Sequence, residues 1–155
     1  MSTLHPGQTP LIGSVTAQQY GALTELWEAS VRATHNFLDP AYIEELRPRV
    51  EADYLPAVTL AAAYGPAGRL LGFCGVAQDK LEMLFIAPDV RGGGVGKALL
   101  THAIAHMGVR EVDVNEQNEQ AVGFYLAQGF SVQGRSELDG LGRPYPLLHL
   151  VLAEA

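Results

Sequence analysis

The chain is poor in cysteine, in charge and in long apolar runs. A single cysteine, Cys74, stands in 155 residues, so no internal disulfide can form. That excludes a cross-linked scaffold and fits a reducing compartment. Charged residues reach only 17%, and 10 Lys plus Arg against 17 Asp plus Glu leave a net charge of −7. Such a chain lacks the broad basic surface on which nucleic-acid binding leans, so no nucleic-acid partner is expected. No uninterrupted apolar run approaches the ~18 residues of a membrane span, and no membrane association is expected. The opening "MSTLHPGQTP" has no apolar h-region, so no signal peptide and a cytoplasmic location are expected. The length is that of one domain over 1–155, with residues 1–10 a loose leader.

Glycine, by contrast, is plentiful and concentrated. In "PDVRGGGVGKALL", Pro88 to Leu100, three consecutive glycines and a fourth precede a helical pattern. A Walker phosphate loop requires G-x-x-x-x-G-K-[ST], but Ala98 cannot ligate magnesium and Arg91 stands where the first glycine belongs. A dinucleotide fingerprint G-x-G-x-x-G, begun at Gly92 or Gly94, ends on Lys97 or Leu99 and also fails. What remains is R-x-x-G-x-G, formed by Arg91, Gly94 and Gly96 between a strand and a helix. Glycines let successive amides turn inward, and the helix start near Val95 adds its positive end. Together they suit a diphosphate without a metal. The competing reading is a plain flexible turn.

The remaining pattern is alternating strands and helices. "LIGSV" is a weak first strand, and Thr16 to Ser30 reads as a helix with Thr16 as N-cap. Asp39-Pro40 starts a second helix running towards Asp53. "AVTLAAAY", "RLLGFCGVAQ" and "KLEMLFIAP" are three strands. A helix spans Val95 to Met107, with Val95, Leu99, Leu100, Ala103, Ile104 and Met107 as its apolar stripe. "REVDVN" is a strand, and "NEQAVGFYLAQ" is a helix capped by Asn118 and stopped by Gly129. "FSVQGRSEL" and "PLLHLVLA" close the sheet around "DGLGRP". This order implies an α/β fold with a mixed sheet. Cys74 reads as core, and His102 with His106 as a solvated helix face, so no metal is expected.

"LEMLFIAPDVRGGGVGKALL", a strand, and then "NEQAVGFYLAQGF" resemble the GNAT superfamily of acyl-CoA-dependent N-acyltransferases. "ATHNFL", "VNEQNEQAVGFY" and "GRPYPLLHL" further resemble its small bacterial YjaB-type acetyltransferases. The likeness runs from about residue 12 to 153. It implies the GNAT fold, a splayed mixed sheet of about six to seven strands with about four helices. It implies acetyl-CoA as cosubstrate and direct attack by a primary amine in a ternary complex. The amine belongs to a small molecule or a peptide; a homodimer stays open. The alternative is a non-catalytic acyl-CoA sensor on the same fold, and an unrelated nucleotide-binding module is a second rival. No Ser–His or Cys–His arrangement for a covalent route is evident.

The resemblance also distributes roles. Leu84, Phe85 and Ile86 pair their main chain with the pantetheine arm, as an open strand edge can. Arg91, Gly92, Gly93, Gly94, Val95, Gly96 and Lys97 hold the pyrophosphate. Asn115, Asn118, Ala121 and Phe124 complete the cofactor contacts, although Asn118 is equally readable as a helix cap. Tyr125 protonates the departing thiolate, an acid that an ordinary phenol can be at neutral pH. Glu82, assumed to share a strand face with Lys80, Leu84 and Ile86, is the base candidate. Trp27, Thr34, His35, Phe37, Tyr145 and His149 wall the acceptor pocket, and either histidine can accept a proton near neutral pH or serve structure alone.

Overall fold

The computed structural model describes residues 10–153, so the leader expected over 1–10 lies, Pro10 apart, outside the described residues. Seven strands form one sheet: β1 (Leu11–Ser14), β2 (Thr59–Tyr64), β3 (Leu70–Ala77), β4 (Lys80–Ile86), β5 (Glu111–Asn115), β6 (Phe130–Ser136) and β7 (Leu147–Leu152). Their spatial order is β1-β2-β3-β4-β5-β7-β6. Every pairing is antiparallel except β4 with β5. Four α-helices accompany the sheet: α1 (Tyr20–Thr34), α2 (Pro40–Arg49), α3 (Val95–His106) and α4 (Glu119–Ala127).

The helix ends follow local chemistry. Thr16 and Gln19 form a reciprocal capping box around a 3-10 turn, Ala17–Gln19, with the Thr16 amide donating to Gln19 Oε1 at 2.8 Å. The first α-helix therefore begins at Tyr20 and runs on to Thr34, later at both ends than the apolar spacing suggests. Asp39 caps α2 by accepting from the Ala41 amide at 2.9 Å, and Pro40 takes the first turn, where its missing N–H costs nothing. Pro48 lacks the amide that would continue the ladder, and the chain goes on as a π-helical segment, Val50–Tyr54.

The core sits on β3, which is buried from Leu71 to Val76. Leu23, Leu26, Trp27 and Val31 of α1 join it, as do Val95, Leu99, Leu100 and Ala103 of α3. Fully burying a leucine such as Leu99 contributes about 2 kcal/mol relative to exposure. Trp27 is thus a core residue, not a pocket wall. It falls on the same helical stripe as Leu23, and burying that stripe outweighs presenting its one indole to a ligand.

Two irregularities shape the site. First, the parallel ladder between β4 and β5 holds only Lys80 with Glu111 and Leu81 with Val112, after which the strands part. Beyond Leu81, β4 continues to Ile86 without β5, while β5 stays paired to β7 as far as Asn115. Second, β4 carries a bulge. Met83 faces Gly75 and Leu81 faces Val76, so Glu82 is the extra residue. The bulge corrects the assumed alternation: Leu81, Leu84 and Ile86 fall on one face of the sheet, and Lys80, Met83 and Phe85 on the other. Glu82 is exposed at the bulge and does not join Leu84 and Ile86.

Candidate active site

A cavity of about 390 Å³ opens where β4 and β5 part. Its walls are Leu84, Phe85 and Ile86 at the end of β4, the loop and first turn of α3, the start of α4, and Ser30, Thr34 and His35 at the end of α1. Arg91, Gly92, Gly94, Val95, Gly96, Lys97, Asn118, Ala121, Phe124 and Tyr125 all line it. Gly93 belongs to the same loop, its amide donating to the Val90 carbonyl at 3.3 Å. The Phe85 ring packs against Phe73 at 5.8 Å, while the outer edge of its strand stays unpaired by β5.

The anion end is made of backbone. Gly92 and Gly94 have φ of +81° and +91°, and Gly94 is the N-cap of α3. The amides of Val95, Gly96 and Lys97 belong to a first turn, which offers them no carbonyl within the helix. Positive-φ glycines followed by free helical amides form a concavity suited to phosphate oxygens. The Arg91 guanidinium hydrogen-bonds Gln120 of α4, tying the two sides of the mouth together. These residues fit the diphosphate of coenzyme A.

Tyr125 lies at the apolar end. It is 6% exposed, with Phe124 and Phe130 edge-on at 5.1 and 5.7 Å. Among the described residues its hydroxyl has no hydrogen-bond partner, and no fully buried polar side-chain atom is left unsatisfied, so that hydroxyl reaches the cavity. Burial, and then the nearby Cys74, push the phenol well above its ordinary value. The Cys74 thiol is itself pushed up to about 11 by burial.

His35 sits at the lip in a directional chain. Asn118 Oδ1 accepts from the Ala121 amide at 3.2 Å, which turns its Nδ2 towards His35 Nε2 at 3.4 Å. Thr34 Oγ1 donates to the Ser30 carbonyl at 2.8 Å, so it must accept from His35 Nδ1 at 2.7 Å. The ring is therefore the neutral Nδ1–H tautomer, with Asn118 both capping α4 and facing the cavity. Burial pushes the imidazole down to about 4, which removes His35 as a proton acceptor near neutral pH. The folded value lies below the usual 6.5, so the unfolded chain takes up a proton first. Stability from this group is complete above pH 6.5 and is lost as pH falls towards 4. Urea titrations over that window should show His35→Gln with a slope shallower by about one proton, about 1.4 kcal/mol per pH unit.

The remaining expected residues lie elsewhere. Asn115 pairs with Leu147 and receives the Asn118 amide on its carbonyl at 3.0 Å. It is outside the cavity lining, and alternation along β5 sends Val114 into the core and Asn115 to the other face. Phe37, Tyr145 and His149 also lie outside that lining. Phe37 stands 5.4 Å from the His35 ring and 6.3 Å from Tyr145. Tyr145 stacks on Tyr42 at 5.3 Å and its hydroxyl accepts from the Asp39 amide at 3.2 Å. Tyr42 donates to Asp139 at 2.5 Å and Arg143 pairs with Glu45 at 2.7 Å, so the β6–β7 loop is fastened to α2. His149 bonds Asp113 and Ser136, an arrangement that sequence spacing does not reveal.

Among the described residues no three potential ligands gather for a metal, and His102 and His106 only pack ring to ring at 5.0 Å. No described helix is long and apolar enough to cross a membrane.

A family model described as an acetyltransferase (GNAT) domain matches residues 17–141. The chain is 48% identical over 129 residues to the peptidyl-lysine N-acetyltransferase YjaB of Salmonella typhimurium, covering 83% of this chain and 88% of that protein. The solution structure of apo YjaB from Escherichia coli superposes with a TM-score of 0.85 at 43% identity, over 96% of this chain and all 100% of the other. A PaiA N-acetyltransferase from Thermoplasma acidophilum, solved with coenzyme A, shares the fold at a TM-score of 0.75 and 21% identity, over 94% of this chain and 100% of its own.

Proposed function

The chain belongs to the GNAT acetyltransferase family, and from that premise we propose that it moves the acetyl group of acetyl-CoA onto the ε-amine of lysine in a peptide or protein. The observation that carries the reading is the parted β4–β5 pair, with a backbone diphosphate site at one end and an unpartnered phenol at the other. The YjaB relatives are named for peptidyl-lysine as acceptor, and they match this chain over most of both lengths.

Coenzyme A supplies the activated thioester. The protein's part is to hold, orient and move protons. The α3 amides and Gly92 to Gly94 fix the diphosphate, and the free edge of Leu84, Phe85 and Ile86 takes the extended arm as an added strand would be taken. A main-chain amide on that edge meets the developing oxyanion. Tyr125 gives its proton to the leaving sulfur. Desolvation raises both partners: a thiol lodged beside this phenol, Cys74, holds its proton up to about 11. A thiolate leaving into the same dry end is therefore a strong proton acceptor. On the acceptor side, Phe37 and Tyr145 offer apolar rings to a lysine stem, and the carboxylates Glu82 and Glu111 attract its ammonium.

The test is acetylation of a lysine-containing peptide library, read by mass spectrometry alongside thiol release with free polyamines. Lysine peptides should turn over faster than polyamines. Acetylation confined to polyamines or to peptide N-termini would refute the acceptor class.

A further inference from the structure

We propose that Ser136, His149 and Asp113 form a proton relay that deprotonates the acceptor amine, with His149 as the base of the acetyl-transfer reaction. The proposal rests on the acetyltransferase reading above and adds to it the residue that collects the proton.

The relay is assembled by strand register. His149 on β7 lies opposite Asp113 on β5 and opposite Gly134 on β6. Gly134 leaves the space beneath the ring open, since a Cβ there would stand 3.5 Å from His149 Cδ2. Ser136 is the diagonal neighbour, paired with Leu147, and lies on the same face as His149. The contacts are short and directional. Asp113 Oδ1 is 2.7 Å from His149 Nδ1, and Ser136 Oγ is 2.6 Å from His149 Nε2. A carboxylate can only accept, so Nδ1 carries the ring proton. Nε2 of the neutral ring then accepts from the Ser136 hydroxyl.

Orientation separates this relay from Tyr125. Leu81, Val112 and Leu150 are register partners on one face, all buried, and Leu84 with Cys74 continues that face towards Tyr125. Asp113 and His149 therefore lie on the opposite face, as does Lys80. They stand at the point where β4 and β5 part, so a donor held on one face and an amine arriving on the other would meet between them. The acid and the base approach the reacting carbonyl from opposite sides.

The proton balance is simple. An ammonium N–H donates to Ser136 Oγ while the Ser136 proton passes to His149 Nε2. The free amine forms its C–N bond as the C–S bond breaks, the thiolate takes the Tyr125 proton, and the acylated nitrogen sheds its second proton to water, from which the Tyr125 phenolate is reprotonated. The imidazolium, stabilised by Asp113, releases its proton to water, which its 38% exposed side chain permits. Lys80 pairs with the second oxygen of Asp113, which leaves the first oxygen to His149. Glu82 and Glu111 are the other charged groups acting on Lys80. Among the described residues, Asp113 is the one charged group within ion-pair distance of the His149 ring.

The test is the pH dependence of kcat/KM for the amine in the parent, His149→Gln, Ser136→Ala and Glu82→Gln. At pH 7, His149→Gln should fall about 10²-fold and Ser136→Ala about 10-fold. Both deficits should close as pH rises past ~10.4, above which most of a lysine amine is already neutral. Acetyl-CoA affinity by calorimetry should be unchanged, because neither His149 nor Ser136 lines that cavity. Should His149→Gln fail to bind acetyl-CoA, Ser136→Ala alone decides. A deficit constant across pH marks a structural role and overturns the proposal. So does a pH-dependent deficit that appears in Glu82→Gln and not in the relay variants. If only small amines turn over, the peptidyl-lysine reading fails while the relay is still tested on them; if no amine does, both readings fail.

Discussion

Tyr125→Phe is expected to lower kcat by about 10²–10⁴-fold while leaving acetyl-CoA affinity and thermal stability near those of the parent. The asymmetry follows from what the hydroxyl does not touch. The ring makes the packing contacts, edge-on to Phe124 and Phe130, and a phenylalanine keeps both. The oxygen has no partner among the described residues, so its removal leaves no buried donor or acceptor orphaned. What disappears is the proton for the leaving sulfur. Single-turnover kinetics with a lysine peptide, set beside calorimetry of acetyl-CoA binding, separate the two effects. Unchanged turnover would end the assignment of Tyr125 as acid; lost affinity would make it a binding residue instead.

Chain order and helix position were legible because they rest on local rules. Asp39 and Asn118 cap their helices as residues of that type do, and Gly129 ends α4 at a φ of +101°. The backbone cradle was legible for the same reason: glycines before a helix start are a local pattern. Strand register was not. Nothing in "KLEMLFI" announces that Glu82 is an extra residue, because a bulge is defined by the partner strand, and one inserted residue exchanges the faces of everything before it. The same limit hid the relay. Asp113, Ser136 and His149 belong to three strands, 13 and 36 residues apart along the chain from His149, and only the β5-β7-β6 order brings them together. Composition failed differently for Trp27 and His35. An aromatic ring and an imidazole look available for ligands in a sequence, but burial gives one to the core and keeps the other neutral.

Replacing Gly92 and Gly94 together by valine should weaken acetyl-CoA binding by about 10²-fold or more, with the fold intact. The argument is conformational rather than steric. A Cβ at either position meets no atom within 4 Å, so there is room for a side chain. The obstacle is φ, +81° and +91°, which a β-branched residue adopts only at a cost of about 1–3 kcal/mol each. The loop is exposed and can escape that strain by rotating out of the left-handed region, which turns its amides away from the diphosphate. Either way the cost appears in binding, since a ligand that needs the cradle must restore it, and each 1.4 kcal/mol is about tenfold in affinity. Gly108 provides the control. Its φ is +74° and its Cβ position is equally open, but it follows the far end of α3, so Gly108→Val should lower stability without touching acetyl-CoA affinity. Gly96 answers to a different rule: a Cβ there would stand 3.7 Å from Ile86 and 3.8 Å from Phe124, inside the cavity itself. Gly96→Val should therefore block the cavity by volume. Calorimetry across the three variants distinguishes strain, which a saturating ligand concentration overcomes, from occlusion, which it does not. Equal affinity in the Gly92, Gly94 double variant would mean that side-chain charge, not backbone, holds the diphosphate, and would shift that role to Arg91 and Lys97.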